Sequence, residues 1–255
     1  MLATGNYITP VSARDHQVEN HMYTRFRDSV YALVLTYWRD RFRRKRVDQF
    51  LTLMKPQDGI SIVDVGGWSG DFLGIITKGL VGRFVIADIE DQFALTVKKR
   101  YGFEFVRLEE GQPLPFSDKE FDIVVSTSVI EHVTLPKKDC MSRIPQEEWF
   151  SLSQQRWLAS EIRRIGKAYF VQTPHKEFPV ESHIWVLFAN WLSHNRTISL
   201  VRFTNRFWFS RVDYVDWNLL GTTEMRELFP EALLIVERFL GLPKAIIACT
   251  PRKPF

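Results

Sequence analysis

Four stretches of this 255-residue chain combine residue types and spacing that could do chemistry. Asp64-Val65-Gly66-Gly67-Trp68-Ser69-Gly70 follows an apolar run and precedes a helical one. Glycines at such a junction let the backbone approach a ligand closely, and the following helix offers unpaired N–H groups to an anion. A nucleotide or carboxylate ligand is implied. The dinucleotide spacing Gly-x-Gly-x-x-Gly is not met, because its later glycine positions, counted from Gly66, hold Trp68 and Asp71. No Gly-Lys-Ser/Thr phosphate loop occurs either. Asp88 stands 24 residues after Asp64, where a carboxylate can accept two hydroxyl hydrogens in fixed geometry. Glu110 opens Glu110-Gly111-Gln112-Pro113-Leu114-Pro115-Phe116, a turn before another apolar run. His132, His175, Glu181 and His183 are groups able to move a proton near neutral pH. Structural alternatives stand beside each: Asp64 capping the Gly-rich turn, Asp88 starting a loop, Glu109 replacing its neighbour Glu110, the histidines as hydrogen-bonded loop residues.

The elements that must position these groups alternate between short apolar runs and helical segments. Strands are expected at 60–65, 83–88, 103–107, 121–126 and 167–173, near-continuous apolar runs that suit parallel strands buried on both faces. A connecting helix is expected at 146–165, with Pro145 near its start, Glu147 and Glu148 in its first turn, Arg163 and Arg164 in its last, and Gly166 after it. Two further strands, 233–238 and 244–250, are joined by five residues, too few for a crossover helix, and must be antiparallel. The expected fold is α/β: a doubly wound, seven-stranded, mostly parallel sheet with an antiparallel C-terminal hairpin. Residues 1–55 form an N-terminal helical segment packing on a core domain of residues 56–255. The 59-residue connection 174–232 exceeds what a crossover needs and holds an insertion rich in aromatics and arginines, among them Phe203, Trp208, Tyr214, Trp217, Arg202 and Arg211. It reads as a lid over a substrate pocket, as a satellite core, or as a platform for stacking nucleic-acid bases.

With these elements in order, the Gly-rich segment resembles motif I of the class I S-adenosylmethionine-dependent methyltransferases, an acidic residue, any residue, then Gly-x-Gly-x-Gly. Asp64, Gly66 and Gly70 match; Trp68 replaces the central glycine, with Gly67 beside it. Asp88 falls where that family places the acid of the ribose hydroxyls. Glu110 and the Leu114-Pro115-Phe116 turn fall at its adenine-contacting position, and residues 126–133 are similar to the segment it carries beside the cofactor. The resemblance spans residues 45–250 and implies S-adenosylmethionine bound by Asp64, Gly66, Gly67, Trp68, Gly70, Asp88, Ile89, Glu110 and Ser126. Thr173-Pro174-His175-Lys176-Glu177-Phe178-Pro179-Val180-Glu181-Ser182-His183 resembles a stretch after strand five in a bacterial subset that modifies glycans or other small molecules. The implied reaction is in-line attack by a substrate atom on a sulfonium methyl, in which positioning supplies much of the rate. A hydroxyl acceptor needs a base, for which His132, His175, His183 and Glu181 are the candidates, His175 and His183 first. A nucleotide-binding dehydrogenase, a catalytically inactive binding protein of the same fold (Trp68 closing the pocket) and an RNA methyltransferase are the competing readings.

Composition narrows the field. A chain of this length with 45% hydrophobic residues buries roughly 70–75% of its unfolded surface and needs neither disulfides nor a metal to fold. Cys140 and Cys249 lack zinc-ligand spacing, so no metal is expected, and they fit a reducing cytoplasm. The apolar stretches 31–38 and 184–192 are about half the roughly 18 residues a spanning helix requires. Disordered, collagen-like, disulfide-knotted and integral membrane classes are excluded. The net charge of +4 is local: residues 23–55 carry nine basic and three acidic side chains, +6, and the rest sums to −2. Directly after the apolar pattern Phe26, Val30, Leu33, Val34 and Tyr37, residues 39–46 form a basic helix face that reads as solvated, as a surface for nucleic acid, as a frame for an anionic acceptor, or as a peripheral membrane contact. No recognised RNA-binding module occurs, so a small molecule or glycan, not nucleic acid, is the expected partner.

Overall fold

The computed structural model describes residues 30–134, 139–142, 153–206 and 212–251. Seven strands, β1 (Ile60–Val65), β2 (Gly82–Asp88), β3 (Glu104–Arg107), β4 (Phe121–Thr127), β5 (Gly166–Pro174), β6 (Leu233–Phe239) and β7 (Leu242–Cys249), form one sheet. Their order is β3-β2-β1-β4-β5-β7-β6. The first five are parallel, in a register that aligns Val63 with Val85 and with Val124, and Val124 with Tyr169. β7 runs antiparallel to β5 and β6. The doubly wound sheet with an antiparallel hairpin is thus the fold read from the apolar runs.

Burial on both faces follows the two-residue period of the strands. Val63, Val85, Val124 and Val171 turn to one face, where they meet Leu158, Ile162 and Ile165 of helix α4 (Ser153–Ile165) and Met225 and Leu228 of helix α6 (Thr222–Leu228). Ile62, Ile86, Ile123 and Phe170 turn to the other. There helices α1 (Val30–Met54), α2 (Asp71–Ile76) and α3 (Ala94–Tyr101) cover them with Phe50, Met54, Leu73, Ile76 and Val97. The hairpin link is shorter than expected. Leu240 and Gly241 both take positive φ, 50° and 82°, the two-residue type I′ geometry that matches strand twist, and pairing therefore reaches Phe239 and Leu242.

Helix α1 packs by an i, i+4 stripe of Trp38, Phe42, Arg46, Phe50 and Met54. Trp38 lies edge-on to Phe239 at 4.9 Å, and Phe50 contacts Phe170 at 5.3 Å and Phe72 at 6.1 Å. The expected stripe, which included Tyr37, is displaced by one residue: Tyr37 is 61% exposed. Arg41, Arg44 and Lys45 of the basic run are exposed. Pro145, Glu147, Glu148, Trp208 and Arg211 lie outside the described residues, as do residues 1–29. Among the described residues no helix is long and apolar enough to cross a membrane.

Between β5 and α6 the chain builds a satellite core from Ile184, Ala189, Ile198, Val201, Val215 and Trp217, with helix α5 (His194–Thr204) across it. The final part of the 174–232 connection is α6 itself, a layer of the main sheet. Phe50 is fully buried and joins α1 to the sheet through its contacts with Phe72 and Phe170, so Phe50→Ala is expected to lower unfolding free energy by about 3–5 kcal/mol in urea titrations. A loss below about 1 kcal/mol would show that α1 is not part of the cooperative core.

Candidate active site

The strand order reverses between β1 and β4, and beyond the carboxyl ends of β1, β2 and β4 opens a cavity of about 1050 Å³. Asp64, Gly66, Gly67 and Trp68 line its β1 side, Asp88 and Ile89 its β2 side, and Glu110 its exposed rim. Two of these glycines are dictated by close approach. At Gly66 (φ 74°) a Cβ would lie 2.4 Å from Val129 Cγ2, and at Gly67 it would lie 2.7 Å from Asp64 Cγ. A side chain at either position would displace the cavity wall or the carboxylate. Trp68 adopts φ 48°, the left-handed conformation a glycine would take there, and its indole packs edge-on against Phe93 at 4.7 Å. The cavity stays open beside it.

Two of the cofactor-binding candidates do not line the cavity. Gly70 sits behind it as the left-handed N-cap of α2, and Ser126 is fully buried within β4, while Thr127 and Ser128 face the space instead. The anion expected at the start of α2 meets the chain's own Asp71. This carboxylate accepts from Tyr101 Oη at 2.6 Å, Arg100 Nη1 at 2.9 Å and Ser69 Oγ at 2.7 Å, tying α2 to α3. Arg43, from the basic run of α1, also lines the cavity, a placement that the charge run alone does not specify.

The two acids are held at a cost. Asp64 is buried, its Oδ1 has no hydrogen-bond partner, and burial together with the Asp88 charge pushes its pKa up to about 8. Asp88 is also raised by burial, although the Glu90 and Trp68 backbone N–H groups donate to its two oxygens at 3.0 and 2.9 Å.

The histidines divide. His175 is buried at the end of β5, away from the cavity; its Nδ1 accepts from the Glu177 N–H at 3.1 Å, its Nε2 meets Thr222 Oγ1 at 3.4 Å, and burial lowers its pKa. It joins β5 to α6 and is not brought to the site. His132 lines the cavity, and His183 lies behind it, their Nε2 atoms 3.2 Å apart. His132 Nδ1 meets Asp216 Oδ1 at 3.1 Å, and His183 Nδ1 meets Glu181 Oε1 at 2.5 Å. Burial opposes protonation of His183, but the Glu181 hydrogen bond and the charges of Glu181, Glu131 and Asp216 outweigh it and raise its pKa. Glu181 is fully buried, its other oxygen accepting from the His183 and Ile184 N–H groups at 2.8 and 2.7 Å. It orients His183 and does not reach the cavity. Asp216, which does, was missed: nothing in Tyr214-Val215-Asp216-Trp217 marks it apart from an acid among apolar neighbours.

Residues 63–144, from β1 to beyond β4, match the family model of a methyltransferase domain. Among solved structures, a chain of the Haloferax volcanii complex between a methyltransferase activator and a methyltransferase aligns with a TM-score of 0.50 at 14% identity, covering 84% of this chain and 94% of that one. A Bordetella parapertussis protein aligns with a TM-score of 0.52 at 9% identity, covering 83% of this chain and 68% of that one. These likenesses show the fold, a Rossmann-like methyltransferase sheet. No curated protein matches the sequence.

The Asp64 geometry predicts a pH dependence. With its pKa pushed up to about 8, the folded protein retains a proton that the unfolded chain releases near pH 4, so this group destabilises the fold increasingly as pH rises from about 4 to about 8. Asp64→Asn is expected to match wild-type stability near pH 4 and to exceed it above pH 8 by a few kcal/mol, at most about 5, in urea unfolding without ligand. A stability difference constant across that range would show that Asp64 is not strained.

Proposed function

We propose that the protein transfers a methyl group from S-adenosylmethionine to an oxygen of a small-molecule or glycan acceptor. The observation that carries this reading is the cavity itself, set at the strand-order reversal, floored by Gly66 and Gly67 and flanked by Asp64 and Asp88. The methyltransferase-domain match over residues 63–144 supports it. The residues present fit the cofactor. Asp64 Oδ1 is a buried acceptor awaiting a donor such as an ammonium, and Asp88 retains lone pairs for ribose hydroxyls beyond its two backbone bonds. Ile89 and Glu110 border the side suited to the adenine, and Arg43, whose charge acts on Tyr101 beside Asp71, suits a carboxylate. When bound, the cofactor supplies an activated methyl on a sulfonium.

The chain's own task is then to hold the acceptor in line and to exclude water. His132, Thr134 and Asp216 form the polar wall opposite the Gly-rich loop, and Gln154 and Trp157 of α4 face the same space. Both ring nitrogens of His132 are engaged by Asp216 and His183, so we assign the acceptor hydroxyl to Asp216, with the Asp216–His132 pair receiving its proton. Trp68, standing against Phe93 with the cavity open beside it, favours catalysis over an inactive binding role.

Calorimetry is expected to give micromolar S-adenosylmethionine or S-adenosylhomocysteine affinity, about −8 kcal/mol, weakened about 10–100-fold by Asp88→Ala. Asp216→Asn is expected to lower turnover while leaving cofactor affinity intact. Absence of binding at millimolar ligand would overturn the reading.

A further inference from the structure

We infer that Glu131, His132 and His183 form a binding site for a divalent transition-metal ion of the zinc class, ligated by the two imidazole Nε2 atoms and a Glu131 carboxylate oxygen. The argument starts from hydrogens. His132 Nδ1 faces Asp216 Oδ1 and His183 Nδ1 faces Glu181 Oε1. An ionised carboxylate only accepts, so each Nδ1 carries the ring hydrogen, and in each neutral ring the lone pair falls on Nε2. The two Nε2 atoms face each other across 3.2 Å. Two lone pairs at that separation repel unless a cation lies between them.

That cation is either a shared proton or a metal ion, and two observations favour the metal. Two nitrogens bound at 2.0–2.1 Å to one tetrahedral ion lie about 3.3 Å apart, close to the separation seen. The third ligand is in place: Glu131 is fully buried, its Oε2 accepts from Thr173 Oγ1 at 3.0 Å, and its Oε1 has no hydrogen-bond partner. One ligand atom from each of Glu131, His132 and His183 lies within 4.8 Å of the others, so an inward shift of about an ångström by the carboxylate completes the set. A shared proton would leave Glu131 Oε1 unsatisfied.

The surroundings also resemble a prepared ligand shell. A carboxylate on the distal nitrogen of each histidine fixes tautomer and ring orientation, as around protein-bound zinc. The His183 ring stacks on Trp217 at 4.5 Å and 17°, and the Asn218 N–H holds the Glu131 carbonyl at 2.7 Å. Two histidines and a glutamate are the donor set of zinc sites that keep a fourth position open. Because His132 and Asp216 line the cavity, that ion would stand at its wall, where it could polarise an acceptor oxygen. Metal binding itself does not depend on the methyl-transfer reading.

The test uses the full-length chain, freed of metal by chelator and titrated with Co²⁺ in the absence of S-adenosylmethionine. One Co²⁺ per chain with the intense visible absorption of a tetrahedral nitrogen and oxygen site is expected, displaced by Zn²⁺, which should also raise the thermal midpoint. His183→Ala should abolish the absorption. Asp216→Asn, which leaves all three ligands in place, should weaken binding about 10–100-fold while circular dichroism shows the fold intact. Wild-type protein that leaves Co²⁺ in its octahedral aqueous form at millimolar metal would overturn the inference, as would a folded Asp216→Asn or Glu131→Gln variant that binds with wild-type affinity.

Discussion

Burial of both sheet faces is the constraint on which the rest depends. Valine, isoleucine and phenylalanine side chains from five parallel strands are covered by α4 and α6 on one side and by α1, α2 and α3 on the other. A ligand can therefore be met only at the strand ends, and the strand-order reversal between β1 and β4 leaves room there for connecting loops to part. The backbone at Gly66 and Gly67, which line the cavity, comes so close to Val129 and Asp64 that a Cβ does not fit.

The polar groups placed against this dry core are stabilised unevenly. Asp71 is fully engaged by Tyr101, Arg100 and Ser69 and serves the fold. Asp64, with one oxygen unpartnered and its pKa displaced upward by burial, costs stability, the pattern expected where a site is prepared for a ligand that will repay it. The basic helix divides in the same way. Arg41, Arg44 and Lys45 are exposed, Arg43 lines the cavity, and Arg46 lies among buried acids on the packed stripe. Lys244 sits over the Phe42 ring at 3.7 Å, and burial and the Arg46 charge lower its pKa to about 8. A run that reads as one patch of charge thus serves at least two purposes.

The connection after β5 contributes what the parallel sheet cannot. Its satellite core, built on Trp217 and Ile198, holds Asp216 and His183 against the 130–132 turn, and Gln155 of α4 fastens that turn by donating to the Ile130 and Asn218 carbonyls. It acts as a wall carrying charged and imidazole groups toward the cavity, and its own packing fixes their orientation.

By itself the sequence determined the sheet, its mixed direction and the loop that shapes the cavity, because these follow from local patterns: doubly apolar strands, a link too short for a crossover, and glycines beside an acid. Asp64, Asp88 and Glu110 were legible for the same reason, each standing at a strand end or turn. The tertiary structure alone decided which histidines are brought toward the cavity. His175 and His183 share one loop, yet one is sealed against Thr222 and the other is turned onto Trp217 to meet His132, 51 residues earlier in the chain. It also moved the α1 stripe from Tyr37 to Trp38 and brought Asp216 to the cavity. Such choices rest on contacts between segments far apart in sequence, where spacing along the chain carries no information about which ring will face which carboxylate.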